Sequence, residues 1–288
     1  MEYRCEDLSR YGVVLFPPSS PEYAGLFADI QKRLTNPIAG SPPQLPGRED
    51  PDAPTMILCN RSPTAIAAPS WIWRLEPEAG RPTGSRVSTA SVPSVLAPFG
   101  LEERQFKLYG YWHVILPGSK RGIRGNSMFG DNTDVRPPQP DEVWKGGVVG
   151  GAGSLRSPGP LKSVTLTLDG IFFLDGGFAG PDTLHSFDRL TADVDAHLQV
   201  ARLARDGHYR GLSAQDILQQ IAEITGPDPG PAPPPPPLPH RVGHFREDSL
   251  RNLAWRIGMM RQHNGDDRTI YSLMLWTETP LPKFRRLS

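Results

Sequence analysis

The chain has 288 residues, and its 31 Lys and Arg balance its 31 Asp and Glu, so the formal net charge is zero. This balance removes the electrostatic argument for a nucleic-acid partner, and no apolar run approaches the roughly 18 residues of a transmembrane helix. Only 38% of the residues are hydrophobic, whereas 33 are Pro and 29 are Gly, which predicts a core diluted by long irregular segments.

Residues 1–53 are predicted to form a strand, a helix and a Pro-rich arm. The run YGVVLF predicts the strand, and Ser20 and Pro21 are typical of the start of the amphipathic helix that follows. Six prolines among residues 36–54 then predict an extended arm. The first residues, MEYRCEDLSRYGVVLF, carry charges throughout and lack a signal-peptide core, so the sequence predicts a cytoplasmic protein if the chain starts here.

Residues 54–182 are predicted to form a β-domain. The runs TMILCN, TAIAAPSWIWRLE and SVTLTL are β-rich, and the last alternates strictly between apolar and polar residues. Several short strands separated by turn residues, without helices between them, favour an antiparallel sandwich or barrel. Trp71 or Trp73 is expected to pack across that sandwich against Val164, Leu166 and Leu168.

The last third is predicted to be helical. A helical segment over residues 183–226 contains one helix that Asp182 or Thr183 caps and a second that begins at the capping box Ser213-x-x-Asp216. Nine prolines within residues 227–239 predict a polyproline linker over 227–245. Residues 246–288 are predicted to hold a C-terminal helix and a tail, and RTIYSLMLWTE within them is open to either a strand or a buried helix.

Several short motifs in the β-domain resemble those of a known protein family. They are Asn60, Ser62, Ile66, Trp71 or Trp73, and the Pro117-Gly118 turn. With these motifs, residues 54 to 180 resemble uncharacterised bacterial immunoglobulin-like β-sandwich proteins, although the Cys…Trp…Cys signature is missing. The resemblance and the strand pattern together imply an α+β chain: an antiparallel immunoglobulin-like β-sandwich with an N-terminal helix and a C-terminal helical segment.

Three acids in the stretch SVTLTLDGIFFLDGGFAGPD raise the question of a metal site. Asp169, Asp175 and Asp182 stand six and seven residues apart, whereas a calcium loop needs oxygen ligands at alternating positions. Asp169-Gly170 and Asp175-Gly176 are instead typical of tight hairpin turns. The sequence therefore predicts structural roles for all three acids, with no metal and no cofactor.

The remaining candidates for catalysis lack a complete constellation. The glycines of KGGVVGGAGS are not followed by a helix start, and the chain has no Gly-x-Ser-x-Gly elbow. Asp193 and His197 are four residues apart on a predicted helix, and we interpret them as a solvated pair. Cys5 and Cys59 are predicted to be buried or free thiols rather than nucleophiles.

The segment PPLPHR has a recognised interaction chemistry. Pro236, Pro239 and Arg241 match the P-x-x-P-x-Arg pattern of polyproline ligands, although a semi-rigid spacer is an alternative. Trp255 and Met259 extend the apolar surface of the last helix beyond one face, which suggests contact with a partner protein or a second copy.

The sequence thus favours a non-catalytic binding or scaffold protein that is a component of a protein assembly. The alternative is a hydrolase or metal-dependent enzyme whose site joins distant residues, drawn from Asp169, Asp175, Asp182, His113, His185 and His197.

Overall fold

The computed structural model describes residues 1–35, 55–88, 114–124, 127–130, 160–227, 230, 243–277 and 283–288. The chain divides into two compact units. The sheet unit comprises Met1–Leu184 together with Pro282–Ser288, and the helical unit comprises His185–Leu281. Within the described stretches, none of the helices combines the length and the apolar character needed to cross a bilayer.

The described stretches contain ten strands and five α-helices, numbered here in chain order. The strands are β1 (Glu2–Glu6), β2 (Val13–Phe16), β3 (Thr55–Asn60), β4 (Ile66–Pro77), β5 (Thr83–Ser88), β6 (Lys120–Arg124), β7 (Ser127–Gly130), β8 (Leu161–Phe173), β9 (Gly177–Ala179) and β10 (Arg285–Arg286). The helices are α1 (Tyr23–Thr35), α2 (Ser186–Tyr209), α3 (Ala214–Thr225), α4 (Phe245–Asn264) and α5 (Asp266–Met274).

Sheet A is organised around β8, whose 13 residues are enough to pair with several strands. One edge of β8 pairs antiparallel with β4, which in turn pairs antiparallel with β5. The other edge pairs with β1 along residues 163–167 and with β9 along residues 171–172. β1 runs parallel to β8, and β10 runs parallel to β9, so the sheet is mixed.

The predicted fold class is therefore wrong. The chain is mixed α/β, and its mixed sheet A does not fit an antiparallel immunoglobulin-like β-sandwich. β1 does alternate, with charged residues at positions 2, 4 and 6 and the half-buried Tyr3 and Cys5 between them, whereas β10 consists of two arginines. The charges throughout the first residues hid the short alternation of β1, and two residues are too few for any period to predict β10.

Sheet B is antiparallel, in the order β2-β3-β6-β7, and both of its faces are covered by apolar residues of the sheet unit. Alternate residues of β2 and β3 point to opposite faces, as the period of a strand requires. One set joins the main core with residues of sheet A: Val13, Leu15, Met56 and Leu58. The other set packs with Ile30 of α1: Phe16, Ile57 and Cys59.

Both tryptophans of β4 are fully buried in the main core. Trp71 lies opposite Leu168 and Trp73 lies opposite Leu166, each on the adjacent strand β8. The expected burial is confirmed, but its geometry is corrected, because these residues are cross-strand neighbours in one sheet and do not face each other across two sheets.

The helical unit has its own core, formed where α2, α3, α4 and α5 meet. The hydroxyl of Ser213 accepts the N–H of Asp216 at 3.2 Å and donates to its carboxylate at 2.6 Å, so the predicted cap is confirmed. The segment RTIYSLMLWTE was open to a strand or a helix, and its described residues 268–277 lie in α5 and the short 3-10 helix after it. The buried core residues are Ala196, Val200, Ala204, Ile217, Leu218, Ile221, Leu253, Ile257, Ile270 and Leu273.

Candidate functional site

Asp169 lies inside β8, so the predicted hairpin turn at Asp169-Gly170 is wrong. Ser70 pairs with Gly170 and Trp71 pairs with Leu168, which leaves Asp169 as the extra residue of a β-bulge. The residue is fully buried. A bulge re-aims a side chain without ending the strand, and here it directs a carboxylate at the segment that follows β9.

The carboxylate of Asp169 organises residues 180–184. Its Oδ1 accepts the N–H and the hydroxyl of Thr183 at 2.8 and 2.6 Å, and its Oδ2 accepts the N–H of Leu184 at 2.9 Å. The backbone carbonyl of Asp169 accepts the N–H of Asp182 at 2.8 Å. Gly180, at φ +130°, comes so close to this carbonyl that a Cβ there would lie 2.5 Å from its oxygen. Asp169 thus has a structural role.

Asp175 and Asp182 bind the C-terminal residues of the chain. Nη2 of Arg285 donates a hydrogen bond to Oδ2 of Asp175 at 2.6 Å, and Nη2 of Arg286 donates one to Oδ2 of Asp182 at 2.8 Å. The predicted turn at Asp175-Gly176 is confirmed, since Gly176 has φ +84° and follows the end of β8. The prediction that Asp182 caps a helix is wrong, because α2 begins at Ser186 and its N-cap residue is His185.

Backbone pairing and apolar contacts complete this C-terminal site. The N–H of Arg285 donates to the carbonyl of Gly176 at 3.0 Å, and the N–H of Leu287 donates to the carbonyl of Phe178 at 2.7 Å. The side chain of Leu287 packs on the main core. Gly177 leaves space for it, because a Cβ there would lie 3.2 Å from Cδ1 of Leu287. The hydroxyl of Tyr11 donates to the Leu287 carbonyl at 3.3 Å.

Sequence reasoning missed Arg285 and Arg286 as site residues. The tail KFRRLS is too short a basic patch for nucleic acid, and its two apolar residues stand three positions apart, so they do not show the alternation that predicts a strand. The signal that could have found the pairing is charge complementarity, since two adjacent arginines face a hairpin that carries two carboxylates. We call residues 283–288 the C-terminal tail, and we call the edge formed by β9 with Asp175 and Asp182 the β9 edge.

A second polar cluster lies within the helical unit. The hydroxyl of Ser249 on α4 donates to the carboxyl group of Asp193 on α2, and it also lies 2.7 Å from the backbone carbonyl of Phe245. The Ser249 hydroxyl thus links the Asp193 carboxyl of α2 to the backbone of α4. Burial raises the pKa of Asp193 above its usual range, whereas the hydrogen bond from Ser249 and the charge of Arg256 oppose this shift.

His197 is buried one turn after Asp193, so the predicted solvated pair is wrong. Its Nδ1 lies 2.7 Å from the backbone carbonyl of Asp193, which assigns the proton of the neutral ring to Nδ1. Burial lowers the pKa of His197 to about 3. Its ring centroid lies 4.7 Å from that of Trp276. Nε2 is buried and has no hydrogen-bond partner among the described residues.

The hydrogen bonds of Asp193, His197 and Ser249 do not activate the serine hydroxyl as a nucleophile. In a Ser–His–Asp triad the imidazole accepts the serine proton and donates to the carboxylate. Here Ser249 contacts Asp193 directly, and His197 donates to a backbone carbonyl. Cys5 is no better placed, because burial raises its pKa to about 12 and its Sγ lies 3.3 Å from Sδ of Met56.

The residues predicted to contact a partner are only partly described. Pro236, Pro239 and Arg241 lie outside the described residues, so their role stays a prediction. Trp255 and Met259 are half-buried on α4. Nε1 of Trp255 is buried without a hydrogen-bond partner in the described stretches.

Other possible sites are shallow or outside the described stretches. A groove of about 520 Å³ runs along α2, and its lining includes charges of both signs: Asp188, Asp195, Arg202 and Arg246. No group of three or more His, Cys, Asp or Glu side chains in the described stretches is arranged to hold a metal ion. His113 lies outside them, and His185 is half-exposed beside Asp188.

Comparisons of the chain with protein-family models, curated proteins and solved structures found no match. The sequence resemblance to bacterial immunoglobulin-like proteins therefore stays a prediction, although the strand pairing corrects the fold that it implied.

Proposed function

We propose that this chain is a non-catalytic binding protein and a component of a protein assembly. The observation that carries the proposal is the C-terminal tail bound to the β9 edge, because it is an example of an extended segment added to sheet A. Addition of a strand to a sheet edge is a general mode of peptide recognition, in which backbone hydrogen bonds supply affinity and side-chain contacts supply specificity.

The bonding of the candidate catalytic groups supports the same proposal. Asp169, Asp175 and Asp182 are engaged by backbone N–H groups, a threonine hydroxyl and two arginines of this chain. A hydrolase needs a base that accepts a proton from a nucleophile or water, and His197 is held neutral in a buried site with no such donor among the described residues.

The experiment asks whether the β9 edge binds an added peptide. In the full-length chain, Arg285→Glu with Arg286→Glu places two acids against Asp175 and Asp182, which should release the tail by charge repulsion. Fluorescence anisotropy then measures binding of a labelled KFRRLS peptide. We expect saturable binding, and we expect its loss when Asp175→Asn and Asp182→Asn are added. No binding to the tail-released chain would contradict the proposed function at this site.

A further inference from the structure

We propose that the β9 edge selects extended segments with two adjacent arginines between apolar residues, and that the chain's own tail competes with them for it. This inference rests on the proposed function, since it names the ligand class and the regulation of the same site. The tail shows what such a ligand looks like, because each of the four side chains of Phe284–Leu287 makes its own contact: two ion pairs, one ring contact and one contact with the main core.

The β9 edge contacts the two arginines through different groups. Arg285 donates to both the carboxylate and the backbone carbonyl of Asp175, at 2.6 and 3.0 Å. Arg286 donates to Asp182, and its guanidinium carbon lies 5.6 Å from the ring centroid of Phe178. A planar guanidinium can form several directed hydrogen bonds and can also stack on an aromatic ring, whereas a lysine ammonium is a point charge. The site should therefore prefer arginine to lysine at both positions.

The apolar neighbours fix the register. Residues two apart in an extended segment lie on the same side, so Phe284 accompanies Arg286 and Leu287 accompanies Arg285. The ring of Phe284 lies edge-on to Phe172, with 6.4 Å between centroids and 86° between planes. Leu287 packs on the main core. A slip of one residue in either direction would put an arginine at one apolar position and an apolar residue at one arginine position, which makes the register specific.

The tail's covalent attachment sets how strongly it competes. Because the tail belongs to the same chain as its site, it competes at an effective concentration, which we take to be on the order of 1 mM. The apparent affinity of an added ligand falls by the factor 1 plus the ratio of that concentration to the dissociation constant of the tail sequence. For a KFRRLS peptide that binds at about 100 µM, the expected weakening is roughly tenfold.

The test compares full-length proteins by anisotropy with labelled KFRRLS, KFKKLS and KFAALS. The proteins are the native chain, the tail-released chain with Arg285→Glu and Arg286→Glu, and a control with Arg81→Glu and Arg268→Glu. The control makes the same charge change at two other exposed arginines, one between β4 and β5 and one on α5. If the far-UV circular dichroism shows that the tail-released chain is unfolded, Arg285→Gln with Arg286→Gln replaces it.

We expect KFRRLS to bind the tail-released chain roughly tenfold more tightly than the native and control chains. KFKKLS should bind several-fold more weakly than KFRRLS, and KFAALS should not bind. Equal binding of KFRRLS to the native and tail-released chains would overturn the competition while leaving the proposed function intact. Equal binding of the three peptides would overturn the selectivity. Binding to none of the proteins would overturn this inference and the proposed function together.

Discussion

Arg286 donates through Nη2 to Oδ2 of Asp182 over 2.8 Å, although the two residues stand 104 positions apart in the sequence. The side chain of Asp182 is only 3% exposed, whereas that of Asp175, the partner of Arg285, is 45% exposed. Solvent screens an exposed ion pair more than one whose acceptor is buried. The ion pair of Arg286 therefore holds the C-terminal tail more firmly than that of Arg285 does.

Loss of these two ion pairs should expose the tail to proteolysis. Asp175→Asn combined with Asp182→Asn is expected to speed the trypsin cleavage that removes Leu287 and Ser288, because cleavage follows the population of the open tail. Two ion pairs worth up to about 1 kcal/mol each correspond to a change in rate of up to roughly 30-fold. Mass spectrometry of the intact chain at early times measures it. Asp267→Asn, at an exposed position of α5, is the control, and an unchanged rate in the double variant would contradict the role of the two acids.

Trp71→Ala and Trp73→Ala should each lower the free energy of unfolding by about 3–5 kcal/mol, because both side chains are fully buried beside β8. Arg74→Ala is the control, since Arg74 is an exposed residue of the same strand and its loss should cost less than about 0.5 kcal/mol. Urea denaturation followed by far-UV circular dichroism measures the difference. A loss under about 1 kcal/mol for both tryptophans would contradict the packing of sheet A.

A strand or a helix start was predictable where the residues that determine it are neighbours in the sequence. The alternation in SVTLTL predicted the buried Val164, Leu166 and Leu168, and Ser213-x-x-Asp216 predicted the start of α3. Both depend only on residues within a few positions of each other.

Features that depend on distant partners were not predictable in the same way. Alternation shows which face of β8 is buried, but it does not show whether a neighbouring strand runs parallel, and so the parallel strand β1 was missed. Asp182 was assigned to the helix beside it in sequence, whereas the structure pairs it with Arg286. Burial of His197 was missed because helical spacing is the same for a solvated and a packed face.

Asp169→Asn should be destabilising, although Asn serves an ordinary turn as well as Asp does. The Asp169 carboxylate accepts three hydrogen bonds from residues 183 and 184 through both of its oxygens. The NH₂ group of Asn would face a donor at one of these positions, so we expect a loss of about 1–3 kcal/mol. Asp175→Asn, on the exposed turn, is the control and should cost less than about 1 kcal/mol. Equal effects of the two substitutions in thermal denaturation would contradict the role given to Asp169.

Removal of residues 227–288 should unfold the helical unit. The deletion takes away α4 and α5 with four buried residues of its core: Leu253, Ile257, Ile270 and Leu273. Large-to-small changes at such positions cost about 2–5 kcal/mol each, which together exceeds the usual stability of a domain. Replacement of residues 231–239 by a Gly-Ser segment of equal length should retain the helical circular dichroism. A cooperative helical transition in the deleted chain would show that α2 and α3 fold without their partners.

Acid should destabilise the helical unit through His197. Burial lowers the pKa of His197 to about 3, whereas an unfolded imidazole titrates near 6.5. Between these two values the unfolded chain binds a proton that the folded chain does not, so stability falls as the pH falls below about 6.5. Asp193 acts in the opposite sense, because burial raises its pKa and its protonated form is favoured in the folded chain. A comparison between variants is therefore needed to isolate the histidine.

His197→Asn provides that comparison, since its side-chain amide can still donate to the Asp193 carbonyl while no group at position 197 titrates in this range. At pH 7 the native chain should be the more stable, because the ring of His197 packs against Trp276. Between pH 7 and pH 5 the native chain should lose about 2 kcal/mol relative to the variant, which follows from one site titrating near 6.5 only when unfolded. Urea denaturation at both pH values measures the two differences. A gap that stays constant within about 0.5 kcal/mol would mean that His197 accepts a proton in the folded chain and is not buried as described.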